Sequence, residues 1–356
     1  MEKATPTTEV PLTKAQGRAA RRETMKSVLT VHYPLKRDIV LDSEVDLLFE
    51  SYELVTDADE ESSRVGRLGE GRLLVLIGEP GAGKSRALQR VFNREDYFKG
   101  YSDPNADSLL ISVRAPSPCT LKQLGLIIAA QLGYETERDI RENVIWNIVQ
   151  KLLKARGIRF VHIDELQHTI ERAHANDIKK VRDTLKSIVQ QPDWPVWLIL
   201  SGLPSVVSFI EGDNQLKRRS RFVHFEGIRR NFAYEVPKML KAIVKIRAGL
   251  ELDTTNFGSL VERLIHAAQD QFGSAVEFVQ DAIQQALLNG DGTVSCKHFE
   301  AAYSSRSGCD PDSNVFTAID WKKINVAKAL ENALSETDEE EMDTTQPKRL
   351  LDKRNA

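Results

Sequence analysis

Apolar residues along the chain fall into two kinds of run. Short, near-continuous apolar stretches occur at 72–78, 108–113, 159–164, 196–201 and 221–225. Runs of that length and continuity predict strands buried on both faces. Between them lie longer amphipathic stretches at 121–132, 144–153 and 178–189, which predict helices. Strand-helix alternation predicts an α/β fold: five parallel strands in one sheet, with helices on both faces. After about residue 228 the strand signal stops. Stretches 234–248, 259–268, 274–288 and 294–302 predict helices, and so a small helical domain. Ser274 with Glu277 three residues later reads as a capping box, and Gly290-Asp-Gly292 as the stop.

The ends of the chain look different. Residues 1–35 are Thr-rich, then basic at Lys14, Arg18, Arg21, Arg22 and Lys26, and read as a flexible arm. The segment 306–356 reads as a tail, acidic from Glu336 to Asp343 and then basic at Lys348, Arg349, Lys353 and Arg354. Disorder is expected beyond about residue 335. The folded domains are therefore expected at 36–228 and 229–305.

Composition narrows the function classes. Of 356 residues, 41% are hydrophobic and the formal net charge is −3. A core of ordinary size is expected, and binding of nucleic acid by bulk charge is excluded, though a local basic groove is not. Three cysteines, Cys119, Cys296 and Cys309, make neither a disulfide framework nor a C-x-x-C metal or redox motif. No apolar run approaches the length of a membrane span, and no signal peptide is visible. A cytoplasmic location is expected.

The strongest motif is Gly78-Glu79-Pro80-Gly81-Ala82-Gly83-Lys84-Ser85, a full G-x-x-x-x-G-K-[ST] between a strand and the helix that starts with Arg86. Glycines let backbone N–H groups close around phosphates, and the helix N-terminus favours negative charge. Lys84 is expected on the β/γ-phosphates and Ser85 on Mg2+, so the expected cofactors are ATP and Mg2+. The third strand ends Phe160-Val-His-Ile-Asp164-Glu165, at the carboxyl edge where open sheets bind ligands. Asp164 is expected to hold Mg2+ and Glu165 to polarise the attacking water. Ser201, ending the fourth strand, is a candidate for the γ-phosphate or the water, with a plain strand-end serine as the alternative. Lys217-Arg218-Arg219-Ser-Arg221 precedes the fifth strand. One of Arg218, Arg219 and Arg221 is a candidate arginine finger reaching a neighbour's nucleotide, against a solvated basic turn. Trp146 and Trp197 read as core, and Trp321 as packing.

A P-loop, an Asp-Glu strand end, a polar fourth strand, an arginine cluster and a helical lid together resemble an AAA+ ATPase. Finer details are similar to the TniB/TnsC regulators of bacterial transposition. The residues that carry this likeness are Val113-Arg-Ala-Pro116-Ser-Pro118-Cys-Thr120-Leu-Lys122-Gln-Leu124 with Ala130-Gln-Leu-Gly133-Tyr, then Ile163-Asp-Glu-Leu-Gln-His168, then Gly202-Leu-Pro204. The likeness spans about residues 65–230. It implies a bacterial, cytoplasmic ATPase that assembles as a ring or helical filament on double-stranded DNA. Such an assembly links a TniQ-like targeting adaptor to a DDE transposase, and ATP hydrolysis takes it apart. It also implies DNA-facing residues near the helix after the second strand, here Lys122, with Thr136 and Arg138 beyond that helix.

Two positions depart from the pattern. Leu203 stands where the group has Thr, and Val276 stands where many AAA+ lids carry Arg. Both imply a switch with slow turnover. The alternative is a STAND-like signalling NTPase that gates protein partners without binding DNA. Another AAA+ machine would need an appended domain, for which the residues after 305 leave no room. A small-molecule kinase fits Asp164-Glu165 less well than water activation does.

Overall fold

A computed structural model describes residues 14–57, 70–103, 106–171 and 173–329. In chain order the elements are α1 (Lys14–Leu29), α2 (Lys36–Thr56), β1 (Leu73–Gly78), α3 (Lys84–Arg94), β2 (Leu110–Arg114), α4 (Leu121–Gln131), α5 (Glu142–Ala155), β3 (Phe160–Asp164), α6 (Gln167–Ile170) and α7 (Ala175–Val189). They continue as β4 (Trp197–Gly202), α8 (Ser205–Glu211), α9 (Asn214–Arg219), β5 (Ser220–Phe225), α10 (Ile228–Asn231), α11 (Val236–Lys241), β6 (Glu251–Leu252), α12 (Phe257–Ala267), α13 (Phe272–Asn289), β7 (Thr293–Val294) and α14 (Cys296–Ser307). The chain divides into two compact units, Pro34–Glu226 and Met1–Tyr33 with Gly227–Ala356.

The first unit is built on a five-stranded, all-parallel sheet in the order β2-β3-β4-β1-β5. The expected five strands are all present. Alternation along each strand feeds two cores. Leu73, Val75, Val161, Ile163, Leu198 and Leu200 pack with residues of α4, α5 and α7. Leu74, Leu76, Phe160, Trp197 and Ile199 pack with residues of α2 and α3. The apolar spacing leaves α2 unpredicted, yet it buries Leu41, Val45, Leu48 and Phe49 at i, i+4, i+7 and i+8. Phe49 meets Phe98 and Phe160 at centroid distances of 4.8 and 5.1 Å, an aromatic block under β3.

The second unit is helical, and five expectations are corrected there. Residues 14–29, read as part of a flexible arm, form α1. Val28 is fully buried, and its carbonyl accepts from Gln280 Nε2 of α13 at 2.9 Å. This contact comes from a helix more than 250 residues away, so no local pattern announces it. Part of the expected tail is folded as well. Val315, Phe316, Trp321 and Val326 are buried, and Arg263 Nη1 donates to the carbonyls of Val315 at 2.5 Å and Ala318 at 3.0 Å. The run 234–248 is not one regular helix, because α11 passes into π-type turns over Ala242–Arg247. Strand structure does not end at 228: β6 and β7 form a short parallel pair. Helix α13 also starts at Phe272, with Gln271 rather than Ser274 at its N-cap. Residues 1–13 and 330–356 lie outside the described residues. No helix among the described residues is long and apolar enough to cross a membrane.

Candidate functional site

The P-loop joins β1 to α3 at the carboxyl edge of the sheet. Gly81 and Gly83 have φ of 73° and 97°, a left-handed backbone that a Cβ would strain. Lys84 is buried, and its Nζ donates to the carbonyls of Gly78 at 2.7 Å and Glu79 at 3.1 Å. Burial draws its pKa down, and the carboxylates of Glu165, Asp164 and Glu79 offset part of that shift. Glu79, Pro80, Gly81 and Arg86 are exposed, while Ala82 is buried.

Asp164 and Ser85 meet as their motifs require. Ser85 Oγ donates to Asp164 Oδ2 at 2.9 Å. Asp164 Oδ1 accepts from Ser201 Oγ at 2.5 Å and from the Glu165 amide at 3.0 Å. Burial alone would push the Asp164 carboxyl up, but the bonds from Ser201 and Ser85 and the neighbouring His162 outweigh it, so its pKa is lowered. The carboxylate is therefore ionised at neutral pH. A hydroxyl beside a carboxylate suits a hard divalent cation such as Mg2+. Among the described residues no group of three or more His, Cys, Asp or Glu is placed to hold a metal.

Glu165 takes a left-handed backbone, φ 57°, which swings it off the strand. Its Oε2 accepts from Gln167 Nε2, and Arg114 Nη2 lies 3.7 Å from its Oε1. Gln167 is buried, and its Oε1 accepts from the Leu203 amide at 3.2 Å. One side chain thus ties Glu165 to the turn after β4. A Cβ on Gly202 would come within 2.6 Å of Gln167 Oε1 and 2.8 Å of Val206 Cγ2, so a side chain there would displace Gln167 from its place between Glu165 and Leu203.

Sequence reasoning missed Arg37, which no motif marks. It is 8% exposed, and its Nη2 donates to the carbonyl of Ala82 in the P-loop at 2.6 Å. The guanidinium lies 4.5 Å over the Phe225 ring. Burial lowers its pKa from 12.5 to about 10. His162 was missed as well. Its buried imidazole bridges Ser112 and Ser201, and burial lowers its pKa to about 4 despite the nearby Asp164.

The arginine cluster sits at the other end of the sheet. Register pairs Leu73 with Ser220 and Gly78 with Phe225. At ~3.3 Å per residue the cluster is therefore about 17 Å from the P-loop along the strands. Arg219 is held by Glu70 (Nε to Oε2, 2.8 Å) and Arg221 by Glu44 (Nη2 to Oε1, 3.2 Å). Arg218 is exposed, with no carboxylate partner among the described residues. Glu70, Arg72, Arg218, Arg219 and Arg221 line a cavity of about 210 Å³.

The three candidate DNA contacts share one patch. Lys122, in the first turn of α4, pairs with Asp139. In the loop that carries Asp139, Thr136 Oγ1 accepts from the Arg138 amide at 3.1 Å, and Arg138 is exposed. Val276 is buried in α13.

The fold and the site define a class. A parallel five-stranded sheet with a P-loop after β1 and an acidic pair ending β3, followed by a helical region, is the architecture of an AAA+ P-loop domain. Residues 67–209 match the family described as an AAA domain. Among solved structures, the chain is similar to the ORC1 protein of Aeropyrum pernix, solved in complex with DNA. The TM-score is 0.54 at 17% identity, over 81% of this chain and 70% of that one. Cdc6p of Pyrobaculum aerophilum gives a TM-score of 0.50 at 14% identity, over 78% of this chain and 70% of that one. At these identities the likeness is one of fold. No curated protein matches the chain.

Proposed function

We propose that this protein is an ATP-dependent, DNA-binding regulator of transposition. Subunits carrying ATP assemble on duplex target DNA and link a TniQ-like adaptor to a DDE transposase, and slow hydrolysis drives disassembly. The observation that carries the ATPase part is the convergence of Ser85 on Asp164 at 2.9 Å, beside a P-loop. Residues Gly78 to Arg86 would hold the triphosphate, with loop N–H groups and Lys84 on its oxygens. Mg2+, held through Ser85 and Asp164, would supply charge neutralisation at the phosphates. Glu165 orients and polarises the attacking water once its carboxylate leaves Gln167.

The basic cluster cannot serve its own nucleotide, being a full strand length away. Arg219 and Arg221 already hold carboxylates, so Arg218 is the residue left to act in trans on a neighbour's γ-phosphate. Catalysis is then complete only in an assembly, as the ring or filament reading requires.

DNA association rests on the patch of Lys122, Thr136 and Arg138 and on the fold relative solved with DNA. Transposition, the adaptor and the transposase rest on the sequence likeness of 113–124, 163–168 and 202–204. One observation favours the alternative, a NTPase gating protein partners: Asp139 already neutralises Lys122. Electrophoretic binding to duplex DNA decides between them, run with ATP, ADP and no nucleotide at two salt concentrations. ATP-dependent, salt-sensitive binding is expected. Nucleotide binding with no DNA binding in any state would move the protein to the alternative.

A further inference from the structure

A polar chain, buried at His162 and Ser201, crosses the sheet beneath the site. Ser112 on β2 stands opposite His162 on β3, and its Oγ is 2.7 Å from His162 Nδ1. His162 Nε2 is 3.0 Å from Ser201 Oγ on β4, and Ser201 Oγ is 2.5 Å from Asp164 Oδ1. His162 is 4% exposed and Ser201 is fully buried. The Phe92 ring packs edge-on against the imidazole at 5.2 Å.

Proton counting fixes the direction of every bond. The Asp164 carboxylate only accepts, so the single Ser201 proton goes to Oδ1. Ser201 must then accept from His162, which places the imidazole proton on Nε2. Nδ1 is bare and accepts the Ser112 hydroxyl proton. The chain runs Ser112 → His162 → Ser201 → Asp164, with no proton left on Ser201 for a phosphate or a water. Oδ1 is further occupied by the Glu165 amide, which leaves Oδ2 facing Ser85.

The geometry points to a positioning relay: Ser112 and His162 orient the Ser201 hydroxyl, which locks Asp164 Oδ1 and turns Oδ2 towards the cation, so that Ser201 does not report on the γ-phosphate. This rests on the reading of Ser85 and Asp164 as the cation site. The role differs from the one expected of Ser201 in the sequence, and it gives Ser112 and His162 a purpose that no motif assigns. Loss of Ser112 frees the imidazole to move its proton to Nδ1. A bare Nε2 would then draw the Ser201 proton away from Asp164, so a change on β2 reaches the cation site through two side chains.

The test uses the full chain labelled with ¹⁵N-histidine, the His162 ring being assigned from the His162→Gln spectrum. Nucleotide-free protein is expected to show the Nε2–H tautomer, and Ser112→Ala a mixture or the reverse. Mn2+ affinity is read by electron paramagnetic resonance with bound ADP. Ser201→Ala is expected to weaken it about tenfold, the usual scale for a residue that orients a metal ligand. Ser112→Ala should weaken it less, and the double variant no more than Ser201→Ala alone. Ser201→Thr keeps the hydroxyl and should restore it. The preference for ATP over ADP should not change in Ser201→Ala. An Nδ1–H tautomer in the wild type would overturn the relay. So would a Ser201→Ala variant that loses ATP preference while keeping Mn2+ affinity. A chain that binds no nucleotide would defeat the ATPase reading, while the tautomer still decides the relay.

Discussion

Replacing Arg37 with Met separates stability from function at this site. The guanidinium is 8% exposed, and its pKa is held at about 10 against an ordinary 12.5. At ~1.4 kcal/mol per unit, the charged form is disfavoured in the fold by about 3 kcal/mol. Its bond to the Ala82 carbonyl at 2.6 Å contributes about 1.5–3 kcal/mol as a charge-assisted bond. Its position 4.5 Å over the Phe225 ring contributes roughly 0.5–2 kcal/mol. These terms nearly cancel, and Met retains the packing of the apolar stem. Unfolding free energy should therefore change by no more than about 2 kcal/mol. The P-loop loses the side-chain bond that holds the Ala82 carbonyl. Affinity for a fluorescent ATP analogue should fall about tenfold, ~1.4 kcal/mol, near the low end of that bond's worth. The assays are denaturant unfolding and a nucleotide titration on the same preparation. A variant that loses several kcal/mol of stability yet binds nucleotide normally would refute the reasoning.

Three further outcomes follow from named contacts. Arg218→Ala should bind ATP normally but hydrolyse it at least about tenfold more slowly; hydrolysis by the assembled variant at the wild-type rate would exclude the trans role. Gly83→Ala should abolish nucleotide binding and cost about 1–2 kcal/mol of stability, since φ is 97° there; normal binding on titration would show that the loop is not the phosphate cradle. Tyr303→Phe should stabilise the helical unit by about 1 kcal/mol, because the buried hydroxyl has no partner among the described residues. Burial also raises the Tyr303 pKa from 10.0 to about 12. The unfolded chain therefore releases this proton first, and stability falls as pH rises from 10 to 12. The Phe variant should flatten that fall in melts across the range, and an unchanged slope would count against it.

What the sequence made legible was local and repetitive. The central runs became strands buried on both faces, as in β1 and β4, while the edge strand β5 was legible from its apolar content although Arg221 and His224 are exposed. The Gly78–Ser85 and Asp164-Glu165 motifs were readable because their chemistry needs those residue types side by side. Arg37 was not readable, because its partner Ala82 is 45 residues away and the contact depends on where α2 packs. Ser201 was readable as a polar residue on a strand, but its proton is committed through His162 and Asp164, which only the sheet order brings together. Helix α1 lacks an apolar stripe of its own and is stabilised by α13, so its basic residues suggested an arm. Choosing among the three arginines needed Glu44 and Glu70, which are distant in sequence.

The central claim is that hydrolysis at Glu165 and Asp164 releases an ATP-bound assembly from DNA. The direct measurement is the lifetime of the complex on surface-bound duplex DNA after free protein is washed out in ATP, for wild type, Lys84→Ala and Glu165→Gln. Lys84→Ala should not bind, and the wild type should bind and leave. Glu165→Gln should bind as well as the wild type and persist at least ~100-fold longer, the scale lost with a general base. Equal lifetimes for wild type and Glu165→Gln would contradict the account.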